Sequence, residues 1–293
     1  MPEGPTIVIL REQVARFTGC RILRVEGNAK IDLERLRGRP VAAFRSWGKH
    51  FLIDLDAFAL RVHFLMFGSY TIDERKPRAP RLSLGFETGE LNLYSCAIRE
   101  LEGDLDAAYD WSADVMSDAW DPRRAGRKLR AIPDAYVCDA LLDQQVFAGV
   151  GNIIKNEVLF RIGVHPLSRV GALPPAKRRA LVREARQYSF EFLEWKKQFV
   201  LRQHWLAHNK GTCAKCGRKL TRAYLGETDR RTFFCEHDQA MYGTPAQRRA
   251  AAKTLSGARK GGRRPVTPPE PPLERSAERV RDRTVARKRT AAR

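Results

Sequence analysis

Residues 41–56 read VAAFRSWGKHFLIDLD. Two strand-like halves flank Gly48 and Lys49, a pair suited to a tight turn. The stretch predicts a β-hairpin with Lys49 at its tip. Taken alone, such a lysine is simply a solvated turn residue. Further strand-like runs lie on either side: RILRVEG (21–27), FALRVHFLM (58–66) and RLSLGFETGELNLYS (81–95). Several alternate apolar and polar residues, with turn residues such as Thr88-Gly89 between them. Upstream, Ile7, Leu10, Val14 and Phe17 recur at helical spacing, so a helix is expected over 6–17, stopped by Gly19. A strand-rich unit headed by one helix, covering residues 1–120, is expected to be a β-sandwich.

The pattern changes at residue 121. DPRRAGRKLR (121–130) reads as a polar, basic connector. Helical periodicity follows over 135–206, giving a helical domain at 121–206. Residues 207–243 are short, cysteine-bearing and hairpin-like. The expected fold class is therefore α+β. Residues 244–293 carry 15 Lys and Arg against 4 Asp and Glu, a net of +11. This stretch has almost no large apolar side chain and reads as a disordered basic tail.

The whole chain of 293 residues carries +20, so about +9 remains on the first 243 residues. Such a charge seeks polyanions, and nucleic acid is the leading candidate. No apolar run reaches 18 residues, and no basic-then-apolar leader opens the chain. A cytoplasmic monomer without a membrane partner is expected. Cys20, Cys96 and Cys138 stand apart and read as buried structural thiols.

Cys213, Cys216 and Cys235 cluster. Cys213-x-x-Cys216 followed by Cys235 after 18 residues nearly fits a two-knuckle zinc pattern. The fourth ligand should stand at position 238, which is Asp238; His237 is the alternative, and His204 and His208 are further candidates. A metal-free hairpin held by packing is the competing reading.

QQVFAGVGNIIKNEVLF (144–160) resembles a glycine-rich phosphate loop, but it lacks the preceding strand and third glycine of a dinucleotide fingerprint. Gly149 and Gly151 leave room for a close backbone approach. Asn152 stands where a helix N-cap belongs, and a helix N-terminus welcomes an anion, which in a basic chain is expected to be a DNA phosphate. In RVHFLMFGS (61–69), Leu65, Met66 and Phe67 are either core strand or an apolar wedge for a base stack.

Together with the opening MPEGP, the ordered set GKHFL, HFLMFG, AGVGN and RRTFFC resembles the formamidopyrimidine-DNA glycosylase and endonuclease VIII family of base-excision repair over residues 1–243. The Gly-Pro after Pro-Glu is most like the endonuclease VIII branch. The resemblance implies a bifunctional glycosylase and abasic-site lyase for oxidised bases, pyrimidines first, acting on damaged double-stranded DNA. It implies a helix–two-turn–helix motif and a zinc-finger-like hairpin, with Zn as cofactor and no organic one. It makes Pro2 the nucleophile through a Schiff base, Glu3 its acid–base partner and Lys49 a phosphate and charge-stabilising residue. It assigns Asn152 and Arg230 to the DNA backbone, and Leu65, Met66 and Phe67 to the gap left by a flipped nucleotide. The chemistry suits Pro2: a terminal α-amine titrates near pH 8, far below lysine, and its iminium has no N–H proton to lose. Two positions depart from the family pattern, Asp238 for a fourth Cys and Thr6 for a second Glu. Oxidised-purine removal, a non-catalytic DNA binder and an RNA binder are the competing readings.

Overall fold

The computed structural model describes residues 2–257. Strands β2 (Ala43–Trp47) and β3 (His50–Asp54) pair antiparallel with Trp47 opposite His50, so Gly48 and Lys49 alone make the turn. Gly48 has φ +55°, the left-handed geometry that two-residue hairpins require. With β4 (Phe58–His63) and β8 (Ala97–Glu102) they form a sheet of order β2-β3-β4-β8. A second sheet joins β1 (Arg24–Glu26), β5 (Ser69–Ile72), β6 (Leu82–Phe86) and β7 (Gly89–Tyr94) in the order β1-β6-β7-β5. Phe51, Ile53, Leu60 and Val62 of one sheet share a core with Leu82, Leu84, Leu91 and Leu93 of the other.

Details differ from the sequence reading. The run at 58–66 leaves the sheet after His63, so Leu65 and Met66 sit in a turn. The β6–β7 turn is Glu87-Thr88, because Phe86 pairs with Gly89. Strands β5 and β8 lack a clean apolar alternation and are found only in the structure. Helix α1 (Gly4–Val14) starts two residues early, with Pro5 in its first turn, and a 3₁₀ turn at Ala15–Phe17 carries the apolar stripe on to Phe17. Cys96 and Cys138 are buried, whereas Cys20 is half-exposed.

A short helix α2 (Leu105–Ala108) follows the sandwich. The basic segment at 121–130 is not a connector. It forms helix α3 (Pro122–Arg130): Asp121 caps it by accepting from Arg123 N at 2.8 Å, Pro122 opens it, and Ala125 and Leu129 are buried. Then come α4 (Val137–Ala140), two turns, α5 (Asn152–Arg161) and the long α6 (Pro175–Lys197). Their core includes Phe147, Val158, Leu181 and Phe192. The last sheet is the hairpin of β9 (Thr221–Leu225) and β10 (Arg230–Phe234). Beyond it, helix α7 (Pro245–Gly257) buries Ala251, so the expected tail at 244–293 begins with ordered helix. The remainder of that tail lies outside the described residues. Among them no helix is long and apolar enough to cross a membrane.

Candidate active site at the N-terminal segment

Three segments meet because three glycines let them. Gly4 N donates to Gly149 O at 2.8 Å, and Gly48 packs against the same backbone. A Cβ on Gly4 would fall 2.9 Å from Gly149 Cα, and one on Gly151 would fall 2.3 Å from Glu3 Cδ. The AGVGN glycines therefore admit the chain's own N-terminal segment.

Glu3 is fully buried. Its carboxylate accepts from Gly151 N (3.1 Å), Ile153 N (2.8 Å) and Ile154 N (3.2 Å). The anion at the α5 N-terminus is thus Glu3, where a DNA phosphate was expected. Burial pushes the Glu3 carboxyl up; nearby Lys49 and the Ile153 and Ile154 N–H groups pull it back. Thr6 Oγ1 accepts from Glu3 N at 3.0 Å and donates to Glu3 O at 2.7 Å, which fixes the backbone that carries the carboxylate.

Lys49 stands at the hairpin tip within electrostatic reach of Glu3 and Arg230. Desolvation lowers its ammonium to about 8; Glu3 opposes the shift and Arg230 adds to it. Asp114 holds the turn, accepting from Gly48 N at 3.0 Å and Met116 N at 2.9 Å. Burial raises this carboxyl to about 6 against those hydrogen bonds. No sequence signal marks Asp114.

The residue in the helix-cap position is Gly151, and Asn152 is the first residue of α5. Asn152 is buried, and its Nδ2 donates to Arg231 O at 2.9 Å. It therefore ties α5 to the β9–β10 hairpin. Other buried polar residues of α5, missed in the sequence, do the same. Lys155 Nζ donates to Thr232 Oγ1 at 2.7 Å, and Asn156 Oδ1 accepts from Phe233 N. Glu157 instead ties α5 to the segment ahead of the hairpin, accepting from the N–H groups of Leu206, Ala207 and His208. Only the apolar half of NIIKNEVLF is readable as a core-facing stripe; the burial of its polar half is a tertiary fact. Arg230, at the start of β10, is half-buried.

Leu65, Met66 and Phe67 form an exposed apolar loop tip, with 51%, 39% and 69% of their surface accessible. Gly68 N donates to Phe64 O at 2.8 Å and closes the loop.

Cys213, Cys216, Cys235 and Asp238 offer ligand atoms that all lie within 4.8 Å of one another. Asp238 Oδ2 is 2.9 Å from Cys213 Sγ and 3.4 Å from Cys235 Sγ, and the sulfurs of Cys216 and Cys235 are 3.6 Å apart. Tetrahedral zinc with Zn–S near 2.3 Å needs sulfurs about 3.8 Å apart, so the set fits. His237 is exposed and meets Asp238 Oδ1 through Nδ1 at 3.1 Å, as an outer partner. His204 stacks on Trp195, and His208 bonds Asn156, so neither reaches the cluster.

A β-sandwich and a helical lobe that close over a buried N-terminal carboxylate, beside a cysteine hairpin, define a two-lobed scaffold shared with DNA-repair enzymes. The formamidopyrimidine-DNA glycosylase N-terminal domain is matched over residues 1–101, and the H2TH domain of the same glycosylase over residues 116–200. Endonuclease 8-like 3 of Xenopus laevis is 30% identical over 237 residues, covering 76% of this chain and 38% of that protein. DNA-(apurinic or apyrimidinic site) lyase Nei2 of Mycolicibacterium smegmatis is 31% identical over 252 residues, covering 80% of this chain and 97% of that protein. The chain thus spans little more than a third of the vertebrate relative and nearly all of the bacterial one. In fold it is similar to Lactococcus lactis formamidopyrimidine-DNA glycosylase bound to DNA containing an AP site (TM-score 0.72, 20% identity, 81% of this chain, 99% of that one). The chain belongs to the formamidopyrimidine-DNA glycosylase and endonuclease VIII family.

Proposed function

We propose that this protein is a bifunctional DNA glycosylase and abasic-site lyase for oxidised pyrimidines in double-stranded DNA. The observation that carries the reading is the Glu3 carboxylate, buried against the α5 N-terminus next to the residue that becomes the amino terminus once Met1 is removed. Lys49 stands within electrostatic reach of it, and Arg230 within reach of Lys49. The relatives named for endonuclease 8 and AP-lyase activities support the branch.

In this mechanism the neutral Pro2 amine attacks C1′ of the flipped nucleotide. The C1′–N bond of the damaged base breaks, the base leaves with a proton, and opening of the sugar ring gives an iminium. Glu3 protonates the ring oxygen; its raised pKa keeps the acid form accessible. The iminium withdraws electrons, so loss of a C2′ proton expels the 3′ phosphate, and a second elimination expels the 5′ phosphate. Lys49 and Arg230 hold the phosphates as charge develops. Leu65, Met66 and Phe67 fill the vacated stack. Asn152 acts by anchoring the hairpin that carries Arg230. The functional units run 1–120 for chemistry, 121–206 and the 207–243 hairpin for DNA. Zinc at Cys213, Cys216, Cys235 and Asp238 would supply structural cross-linking of the hairpin and no chemistry.

Borohydride trapping tests the reading. Duplexes with thymine glycol, 8-oxoguanine or an abasic site are mixed with the protein and with Pro2→Gly. The expected result is a crosslink on thymine glycol that maps to the N-terminal peptide and weakens in the variant. Trapping mainly on 8-oxoguanine moves the protein to the purine branch. Binding with no crosslink on any duplex defeats the catalytic reading.

A further inference from the structure

Away from the N-terminal site, α3 and α6 enclose a groove of about 1080 Å³ whose charged lining is all arginine. From α3 come Arg123, Arg127 and Arg130, spaced 4 and 3 along one face. The adjacent face of α3 carries Arg124 and Lys128, which share the Asp110 carboxylate, at 3.2 and 2.8 Å. The helix thus sorts its cations: one row is paired, and the other looks into the groove. From α6 come Arg178, Arg179, Arg183 and Arg186. Arg127 pairs with Asp121 at 3.6 Å, the arginine exposed and the carboxylate half-buried. Arg123 also lies in the field of Asp121, and Arg186 lies in the field of Asp114 and donates to Val115 O and Ser117 O at 3.0 and 2.8 Å. No other carboxylate among the described residues pairs with these seven arginines.

The groove does not belong to the site already described. Helix α6 faces α5 through Glu184, Tyr188, Glu191 and Trp195, all gathered around Arg161 at the end of α5. At roughly 100° per residue, Arg179, Arg183 and Arg186 lie about 140° around the helix from that stripe. Phe190 lies on the same flank, 38% exposed, with Arg186 over its ring at 4.9 Å.

A row of unpaired cations on one helix is ordinarily a solvated face. Here two helices from different parts of the sequence line one concavity with seven arginines and, among the described residues, one ion pair, beside an exposed aromatic ring. Arginine forks match phosphate oxygens two at a time, and an aromatic ring beside a cationic track is the arrangement that holds unpaired bases. We propose that the α3–α6 groove is a second nucleic-acid site, which takes a single-stranded segment with phosphates on the arginines and a base on Phe190. The protein then engages a strand outside the segment held at its N-terminal site.

The test uses the full chain in the presence of excess unlabelled short duplex carrying a tetrahydrofuran abasic analogue. Fluorescence anisotropy follows a labelled dT12 strand across a salt series. The wild type is expected to bind dT12 without displacing the duplex. The variant Arg127→Gln/Arg179→Gln/Arg183→Gln is expected to bind dT12 at least tenfold more weakly, with the slope of log K against log salt reduced by about 2–3. Phe190→Ala is expected to weaken binding at constant slope. Unchanged dT12 affinity and slope in the triple variant, or simple competition between dT12 and the duplex, overturns the proposal. These arginines are exposed, so an unchanged melting temperature checks the fold. Neither probe needs to be cleaved, so a failed trapping experiment and a failed groove are separately visible.

Discussion

Gly4 and Gly149 touch backbone to backbone: the Gly4 amide donates to the Gly149 carbonyl at 2.8 Å, and a Cβ on Gly149 would press to 3.3 Å from Gly4 Cα. Gly149 also adopts φ +97°, a region that L side chains avoid. Gly149→Ala is therefore expected to destabilise the fold by about 1–3 kcal/mol through overpacking and strain, and to abolish trapping because the N-terminal segment is displaced. Urea unfolding and borohydride trapping of the same preparation read both effects. A stable, fully active variant would show that the contact is dispensable.

Glu3→Gln keeps the shape but removes the charge that accepts from three α5 amides. The rate of base release and strand cleavage should fall by about 10²–10⁴, the usual contribution of a positioned acid or base. Glu3→Asp should retain part of the activity. Single-turnover kinetics on a thymine glycol duplex would separate the two, and equal rates for wild type and Glu3→Gln would remove Glu3 from the chemistry.

Lys49 sets an alkaline limit. Its pKa lies near 8 in the folded protein against 10.5 in its ordinary state, so its positive charge fades as pH rises past 8. Cleavage should decline over that interval, and Lys49→Arg should move the decline upward. For stability the sign is opposite. Between pH 8 and 10.5 the unfolded chain holds this proton and the folded one does not, so the Lys49 contribution to stability grows as pH rises. A pH–rate profile indifferent to Lys49→Arg would separate the limb from this residue.

Metal analysis checks the cysteine hairpin. One zinc per chain is expected, with affinity lowered in Asp238→Ala and raised in Asp238→Cys. His237→Ala should cost about tenfold, the scale of a lost outer partner. Equal zinc content in wild type and Asp238→Ala would exclude the carboxylate as the fourth ligand.

Phe67→Ala should leave stability within about 0.5 kcal/mol, because the ring is 69% exposed. Cleavage of a lesion inside a duplex should drop about tenfold or more, since unstacking costs a few kcal/mol. A lesion in single-stranded DNA should be spared, and comparison of the two substrates isolates the wedge.

Legibility in the sequence followed patterning. Strands β6 and β7 are readable because Leu82, Leu84, Leu91 and Leu93 alternate, and the Gly48-Lys49 turn because glycine supplies its geometry. Helix α3 reads as a linker because arginines dominate its composition, although Asp121-Pro122 is a proper helix start. The AGVGN glycines announce a close approach, but periodicity does not say what approaches; the partner is Glu3, some 150 positions upstream. Asp114 and the polar residues of α5 act only through contacts remote in sequence, so local pattern is silent about them. Asp238 is legible as a ligand by spacing, and the structure sets it ahead of His237 by distance.

The bonds from α5 to the hairpin have a geometric corollary. Asn152, Lys155 and Asn156 grip Arg231, Thr232 and Phe233, next in line to Arg230. The N-terminus of the same helix holds the Glu3 carboxylate. Arg230 is thereby registered to the N-terminus by a route that bypasses the cysteine cluster. This helix would hold Arg230 in register with Glu3 whichever residue stands at position 238 of the cysteine cluster.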